Sequence, residues 1–290
     1  MSLLNVSKLT KDYGNGKGAF DINISLEPGE MLGFIGPNGA GKSTTINMCC
    51  GFIKPDSGSI NLFGQEVNWL NMHRFYPKIG LLVSEPVFDP SYSASQIFKE
   101  TQTLLRMDLT KRWMELADLL ELDLRKPFLK LSLGNRKKVG FINCLMHDPD
   151  LVILDEPTSG LDPLIQQKCL ALLKGVTARG GAVLLSSHVL SEVQSYCNRI
   201  LMLKDGKVII ENTTENILNQ TQKLFRLKQP AKILPKIAPE LINKKVEEGN
   251  ELLIYTTEHE SILKILVDND FYDFFLERPS LEETFMQYYE

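Results

Sequence analysis

Nine residues near the start of the chain, Gly36-Pro37-Asn38-Gly39-Ala40-Gly41-Lys42-Ser43-Thr44, fill the pattern G-x-x-x-x-G-K-[ST] directly after the apolar run Met31-Leu32-Gly33-Phe34-Ile35. A short apolar run of this kind predicts a buried parallel strand, and the stretch from Thr44 to Cys50 can continue as a helix. Strand, loop and helix then follow in the order needed to wrap backbone N–H groups around an anion. The glycines remove side chains that would block the approach, and the helix adds the positive end of its dipole. In such a cradle Lys42 reaches β- and γ-phosphates, and the Ser43 hydroxyl is a Mg2+ ligand.

A second segment answers the first. The run Leu151-Val152-Ile153-Leu154 leads straight into Asp155-Glu156-Pro157. An acidic pair at the carboxyl end of a buried parallel strand lies where open α/β sheets bind ligands. Asp155 is expected to hold the water shell of Mg2+, and Glu156 to polarise a water for in-line attack on the γ-phosphate. Read without the glycine loop, both acids equally well cap the segment that follows.

Between and around these segments the pattern changes several times. The part up to about Gly64 is strand-rich, with turn signals at Gly14 to Gly18, Glu27-Pro28-Gly29 and Asp56-Ser57-Gly58, which predicts an antiparallel β subdomain. From about 88 to 146, Ile97, Thr101, Leu104 and Leu105, then Trp113, Leu116, Ala117 and Leu120, recur at helical spacing and predict a helical insert. Strands Leu151 to Leu154 and Ala182 to Leu185, separated by a helix from Pro163 to about Ala178, signal a parallel sheet with right-handed crossovers. A hairpin follows over Ile200 to Ile210, turning at Lys204-Asp205-Gly206-Lys207. The polar stretch 213–222 is expected to be a linker. Beyond it, 223–290 predicts a small α+β module with strands Leu224 to Leu227, Glu251 to Thr256 and Phe271 to Leu276, a helix Glu260 to Val267, and a last helix from Ser280.

Composition narrows the possible functions. The 290 residues include 32 Lys+Arg against 36 Asp+Glu, for a net charge of −4. No general basic field is present to hold a nucleic-acid backbone, and Arg136-Lys137-Lys138 is the one compact basic cluster. No stretch approaches the roughly 18 apolar residues of a membrane span, and the N-terminus lacks a signal-peptide core, which predicts a cytoplasmic protein. Cys49, Cys50, Cys144, Cys169 and Cys197 never form C-x-x-C and are expected to be reduced core residues.

Taken together, these segments resemble the nucleotide-binding subunit of an ATP-binding cassette (ABC) transporter, over about residues 3 to 212. Thr158-Ser159-Gly160-Leu161-Asp162-Pro163 resembles that family's dimer-contacting D-loop, His188 its switch histidine, and Leu131-Ser132-Leu133-Gly134-Asn135 its signature LSGGQ. The resemblance implies a P-loop NTPase core over 1–212, with ATP and Mg2+ as cofactors. Glu156, His188 and Lys42 are then catalytic. Tyr13 stacks on the adenine, a contact worth about 1–3 kcal/mol. His188 donates to the γ-phosphate and holds the attacking water. Ser132 and Gly134, with Asp162, serve nucleotide held by a second cassette, so that two ATP molecules are buried between head-to-tail subunits of a homodimer or heterodimer. The other implied partner is an integral membrane permease, docked on the helical insert, which places the protein peripherally on the inner face of the cell membrane.

Leu133 stands where the signature has glycine, Asn135 where it has glutamine, and Ser84 where the family has a magnesium-reaching glutamine. The first two imply a weakened signature and fit an asymmetric cassette pair. Arg278-Pro279-Ser280-Leu281-Glu282-Glu283-Thr284-Phe285 resembles the P-S-L-E-x-x-F ending of drug, peptide and antibiotic exporter cassettes, and equally makes an N-capped helix. Two other functions stay open at this level: a soluble cassette ATPase acting on ribosomes or DNA, and a nucleotide-sensing regulatory module. Relatives on ribosomes usually carry two cassettes in one chain, and DNA-repair relatives insert long coiled coils. This chain has neither.

Overall fold

Continuous apolar runs make the central sheet. In the computed structural model, which describes residues 1–68, 70–220 and 223–277, every residue of Met31–Ile35, Leu151–Asp155 and Ala182–Ser186 is buried. Strands with no polar face belong in a parallel sheet covered on both sides. In chain order the first unit, Met1–Asn212, consists of β1 (Leu4–Asp12), β2 (Gly18–Leu26), β3 (Met31–Ile35), α1 (Lys42–Cys49), β4 (Ser57–Leu62), β5 (Gln65–Val67) and β6 (Ile79–Leu82). It continues with α2 (Ala94–Leu105), α3 (Thr110–Leu119), α4 (Leu133–Leu145), β7 (Leu151–Asp155), α5 (Pro163–Ala178), β8 (Ala182–Ser186), α6 (Leu190–Tyr196), β9 (Arg199–Lys204) and β10 (Lys207–Thr213).

The core sheet has the order β10-β9-β3-β8-β7-β6, and β3 lies parallel to both β8 and β9. β7 is parallel to β8 and to β6. A second, antiparallel sheet, β2-β1-β4-β5, supplies Leu4, Val6, Ile22, Ile24 and Ile60 to the same hydrophobic core as Leu32, Phe34, Ile153 and Leu184. The parallel strands end side by side, with Phe34 opposite Ser186 and Asp155 opposite Ser186. The loops leaving β3, β7 and β8 therefore meet at one edge.

Helix termini are set by side chains at the expected places. Ser93 and Gln96 form a capping box at the start of α2, Ser132 caps α4, and Asp162 caps α5 with Pro163 in its first turn. The apolar stripe of α2 differs from expectation. Ala94, Ile97 and Phe98 are buried, Thr101 is half-buried, and Leu104 is 77% exposed, so the helix grips the core through its first two turns alone. In α3, Trp113, Leu116 and Ala117 are buried as their spacing predicts, with Leu120 just beyond it. The basic cluster also departs from a surface reading, since Lys137 and Lys138 are 4% and 9% exposed.

The second unit begins at Thr213. The stretch expected to be a linker instead finishes β10 and forms α7 (Thr214–Gln220), with Thr214 and Ile217 buried. Thr213 Oγ1 accepts the Asn216 amide, so the Thr and Asn residues that signal a turn cap a helix here. There follow β11 (Lys223–Lys228), β12 (Lys244–Glu248), β13 (Glu251–Thr256), α8 (His259–Asp268) and β14 (Phe274–Glu277), in a sheet ordered β12-β13-β11-β14. Phe225, Leu227, Ile254, Ile262 and Leu266 form its core. The strand expected from Phe271 starts at Phe274. The exporter-like ending and the last helix lie outside the described residues.

All five cysteines are free and buried. Burial raises the thiols of Cys49, Cys169 and Cys197 to about 12 and lifts Cys50 and Cys144 as well. Because the thiolate is the reactive form, the native protein at pH 8 is expected to leave a thiol reagent such as Ellman's uncoloured for minutes and to release five thiols on unfolding. Immediate titration of any thiol in the native state would contradict this burial.

Candidate functional site

The loop after β3 is shaped by close backbone approaches. Gly41 adopts φ 100°, and a Cβ there would sit 2.6 Å from the Gly18 carbonyl oxygen; one on Gly36 would sit 2.5 Å from the Leu203 carbonyl oxygen. Only glycine permits these contacts. They press the Tyr13–Gly18 segment and the β9–β10 turn against the loop. Lys42, 6% exposed, donates to the Gly36 carbonyl at 2.7 Å and to the Pro37 carbonyl at 3.2 Å, closing the loop on itself. Burial lowers its pKa, opposed by the charges of Glu156 and Asp155.

Ser43 and Asp155 meet beneath this loop. The Ser43 hydroxyl donates to Asp155 Oδ2 at 2.7 Å, and the Ser186 hydroxyl to Asp155 Oδ1 at 2.6 Å. Asp155 is 3% exposed, so its charge is held by these two hydroxyls rather than by water. Glu156 follows with φ 49°, a left-handed conformation that costs a residue with a side chain about 1–2 kcal/mol. Two hydrogen bonds hold it there: its N–H to Ser186, with Oγ at 3.1 Å, and its C=O from the Lys137 ammonium at 2.5 Å. The turn lifts the Glu156 carboxylate to 3.2 Å from His188 Nδ1. Below, the Thr158 and Ser187 hydroxyls both donate to Glu192 Oε2, at 2.9 and 3.1 Å, which joins the loops after β7 and β8.

A cleft of ≈ 400 Å³ opens over these groups, lined by Tyr13, Lys17, Gly18, the loop from Asn38 to Thr44, and Glu156. Tyr13 is 54% exposed at its rim, with Lys11 Nζ 5.9 Å from its ring centroid. The structure thus brings together Tyr13, Asn38, Gly39, Ala40, Gly41, Lys42, Ser43, Thr44, Asp155, Glu156 and His188, with Gly36 and Pro37 at the loop's base. Ser132, Gly134 and Asp162 do not line this cleft. Ser132 Oγ accepts the Asn135 amide at 3.3 Å, and Asp162 that of Ile165 at 3.1 Å, so both act as helix caps. Gly134 lies against the Gly160 carbonyl, where a Cβ would come within 3.0 Å, and Leu133 beside it is 52% exposed.

Two residues escaped sequence reasoning. Lys17 sits in the run Gly14-Asn15-Gly16-Lys17-Gly18, whose glycines read as a turn although the lysine among them faces the cleft. Lys137 lies in a basic triplet, and its place four residues before Phe141 and seven before Cys144, on one buried face of α4, is the signal that could have found it.

The donor set suits Mg2+ bound with phosphates. That ion takes one or two protein oxygens and completes its octahedron with water and phosphate, and Ser43 with Asp155 offers one hydroxyl and one carboxylate. Among the described residues no three His, Cys, Asp or Glu side chains converge on a point, as an all-protein metal cage would need.

Comparisons with known proteins agree with this geometry. A family profile described as ABC transporter matches residues 19–159. The chain is 33% identical over 297 aligned positions to the ABC transporter ATP-binding protein YhcH of Bacillus subtilis, covering 99% of this chain and 95% of that one. It is 29% identical over 297 positions to the bacitracin transport ATP-binding protein BcrA of Bacillus licheniformis, covering 99% and 97%. A solved ATP-binding subunit of an ABC transporter superposes with a TM-score of 0.70 at 28% identity, covering 76% of this chain and 93% of that one.

Proposed function

The chain belongs to the ATP-binding proteins of ABC transporters, and from that premise we propose that it binds Mg-ATP between two cassettes and hydrolyses it to drive a separate membrane permease. The observation that carries this reading is the meeting of Ser43 with Asp155 at 2.7 Å and of Glu156 with His188 at 3.2 Å at the floor of one cleft.

The chain's own groups divide the work. Tyr13 offers a ring face to the base. The amides of Gly39 to Ser43 and the Lys42 ammonium hold the β- and γ-phosphates, exchanging Lys42's two bonds to neutral carbonyls for bonds to charged phosphate oxygens. Ser43 and Asp155 are the groups that would hold Mg2+, which when bound neutralises phosphate charge and polarises the scissile bond. Glu156 takes a proton from the attacking water as the oxygen–phosphorus bond forms and the bond to the ADP oxygen breaks. His188, held at Nδ1 by Glu156, turns Nε2 toward the γ-phosphate, and it donates there in the imidazolium form, the one that carries N–H at both nitrogens.

Ser132 and Gly134 head α4 outside their own cleft, which supports a role toward nucleotide in a second cassette, identical or not. The permease finds a docking place in a groove formed by Phe52, Leu81, Leu104, Leu105, Asn143 and His147. Phe52 and Leu104 are 53% and 77% exposed, and Asn143 Oδ1 and His147 Nδ1, though buried, have no partner among the described residues. Apolar anchors beside unmet polar atoms fit a short amphipathic helix. No helix among the described residues is long and apolar enough to cross a membrane. Likeness to the bacitracin transport protein supports export of an antibiotic, peptide or lipid-like compound.

The test is gentle extraction of tagged protein from membranes. An integral membrane protein is expected to come with it, and an Asn143→Ala, His147→Ala variant to lose that partner. Sedimentation with ribosomes instead would remove the transport reading.

A further inference from the structure

Lys137 is a cation placed where helix α4 turns its buried face to the core. It is 4% exposed, and its ammonium donates to the Glu156 main-chain carbonyl at 2.5 Å. A buried ammonium is tolerated only where acceptors and opposite charges compensate it. Glu156, Asp155 and Glu85 are the carboxylates whose charges act on it. Nothing in the hydrolytic chemistry above uses this lysine.

Its partner is an unusual piece of backbone. At φ 49° Glu156 sits in a sparsely populated conformation that persists only where the surroundings over-determine it. Two anchors do so here, one on each side of the residue. Ser186 of β8 receives the Glu156 N–H, and Lys137 of α4 holds its C=O. The carboxylate's approach to His188 depends on both. The two anchors come from different parts of the fold, one from the sheet and one from the helical insert. Helix α4 is also capped by Ser132, five residues before Lys137 and about 7.5 Å away along the axis at 1.5 Å per residue. One rigid element therefore presents the signature serine at its tip and grips the general base's backbone one turn and a half later.

We propose that Lys137 is a positioning residue for hydrolysis: its ammonium fixes the left-handed turn at Glu156 and ties that carboxylate to the helix headed by Ser132. A shift of α4 when Ser132 engages a neighbour's nucleotide is then felt directly at the chain's own Glu156. The proposal rests on the ATPase reading, and it is testable apart from it.

The experiment compares wild type with Lys137→Met, Lys137→Gln and Lys137→Arg in the full chain, together with its second cassette if it needs one. Steady-state Mg-ATPase gives kcat and KM, and hydrogen–deuterium exchange of the nucleotide-free protein compares the peptide spanning 152–161 with one spanning 36–48. Lys137→Met is expected to lower kcat by about tenfold to a hundredfold with KM within about threefold. It is also expected to speed exchange in 152–161 while leaving 36–48 as in wild type. Lys137→Arg is expected to restore much of the rate by supplying a second cation with donors. Should the methionine variant prove insoluble, the glutamine variant, shorter and uncharged, takes its place.

Wild-type kcat and unchanged exchange at 152–161 in the Met or Gln variant overturn the proposal. So does a parallel loss of kcat, KM and protection across both peptides without rescue by arginine, which marks a lysine that merely supports the fold. A wild-type protein without Mg-ATPase activity defeats the ATPase reading instead, and the exchange comparison still decides whether Lys137 clamps Glu156.

Discussion

Glu156→Gln is expected to lower the rate of ATP hydrolysis by about a hundredfold to ten-thousandfold, the range for loss of a general base, while Mg-ATP affinity stays within a few-fold of wild type. The amide matches the carboxylate in shape and leaves both backbone anchors, Ser186 and Lys137, in place. It also keeps an oxygen that can accept from His188 Nδ1, now 3.2 Å from the carboxylate. What disappears is the capacity to take the water's proton. The cradle of Gly39 to Ser43 and the Ser43–Asp155 pair are untouched, so binding persists. Phosphate release measured with excess Mg-ATP gives the rate, and equilibrium binding of a fluorescent ATP analogue gives the affinity. Near-wild-type turnover would remove Glu156 from the role of base. Equal loss of binding and turnover would mean that the substitution had disturbed the cradle rather than the chemistry.

The parts of this site legible in the sequence are those where one residue type is demanded by backbone geometry. Gly36 and Gly41 face carbonyl oxygens at distances that no Cβ tolerates, and the strands that aim the loops are unbroken apolar runs. Such constraints are local, and so they survive in a linear reading. Lys137 was hidden because a lysine in a basic triplet looks solvated, and only the packing of α4 on β6, beside the loop that leaves β7, turns it inward. The stripe of α2 misled for a related reason. Helical spacing gives a face, but not how far along that face the core extends, and Leu104 lies beyond its end.

The second unit was legible where an apolar run stood out, as in β13 with its Leu252, Leu253 and Ile254 buried. It was illegible at β12, whose Lys-Lys-Val-Glu-Glu sequence has a single apolar residue. An edge strand is defined by pairing with its neighbour, here Val246 opposite Leu253, and charge on such a strand is a common defence against further pairing. The stretch 213–222 read as a linker because Thr and Asn favour turns and helix caps alike, and only the tertiary setting selects between them.

Lys42→Met is expected to weaken Mg-ATP binding by about a hundredfold to a thousandfold, and turnover with it. The ammonium lies 6% exposed at the mouth of the cradle and now bonds to two carbonyls of its own loop. Hydrogen bonds involving a charged group contribute about 1.5–3 kcal/mol each, and bonds to phosphate oxygens, charged on both sides and joined by direct attraction between the charges, exceed the two ammonium–carbonyl bonds given up. A net loss of about 3–4 kcal/mol corresponds to a factor near a few hundred. Methionine matches the length of the lysine stem, so packing around Thr45 and Ile46 is kept, while the Gly36 and Pro37 carbonyls lose their donor. The fold should therefore survive with a melting temperature lower by a few degrees. The contrast with Glu156→Gln is diagnostic: one variant binds without turning over, and the other fails at binding. Titration with the same fluorescent analogue, with and without Mg2+, separates them. If Lys42→Met held Mg-ATP as tightly as wild type, the loop after β3 would not be the phosphate cradle, and the nucleotide would have to be sought elsewhere in the molecule.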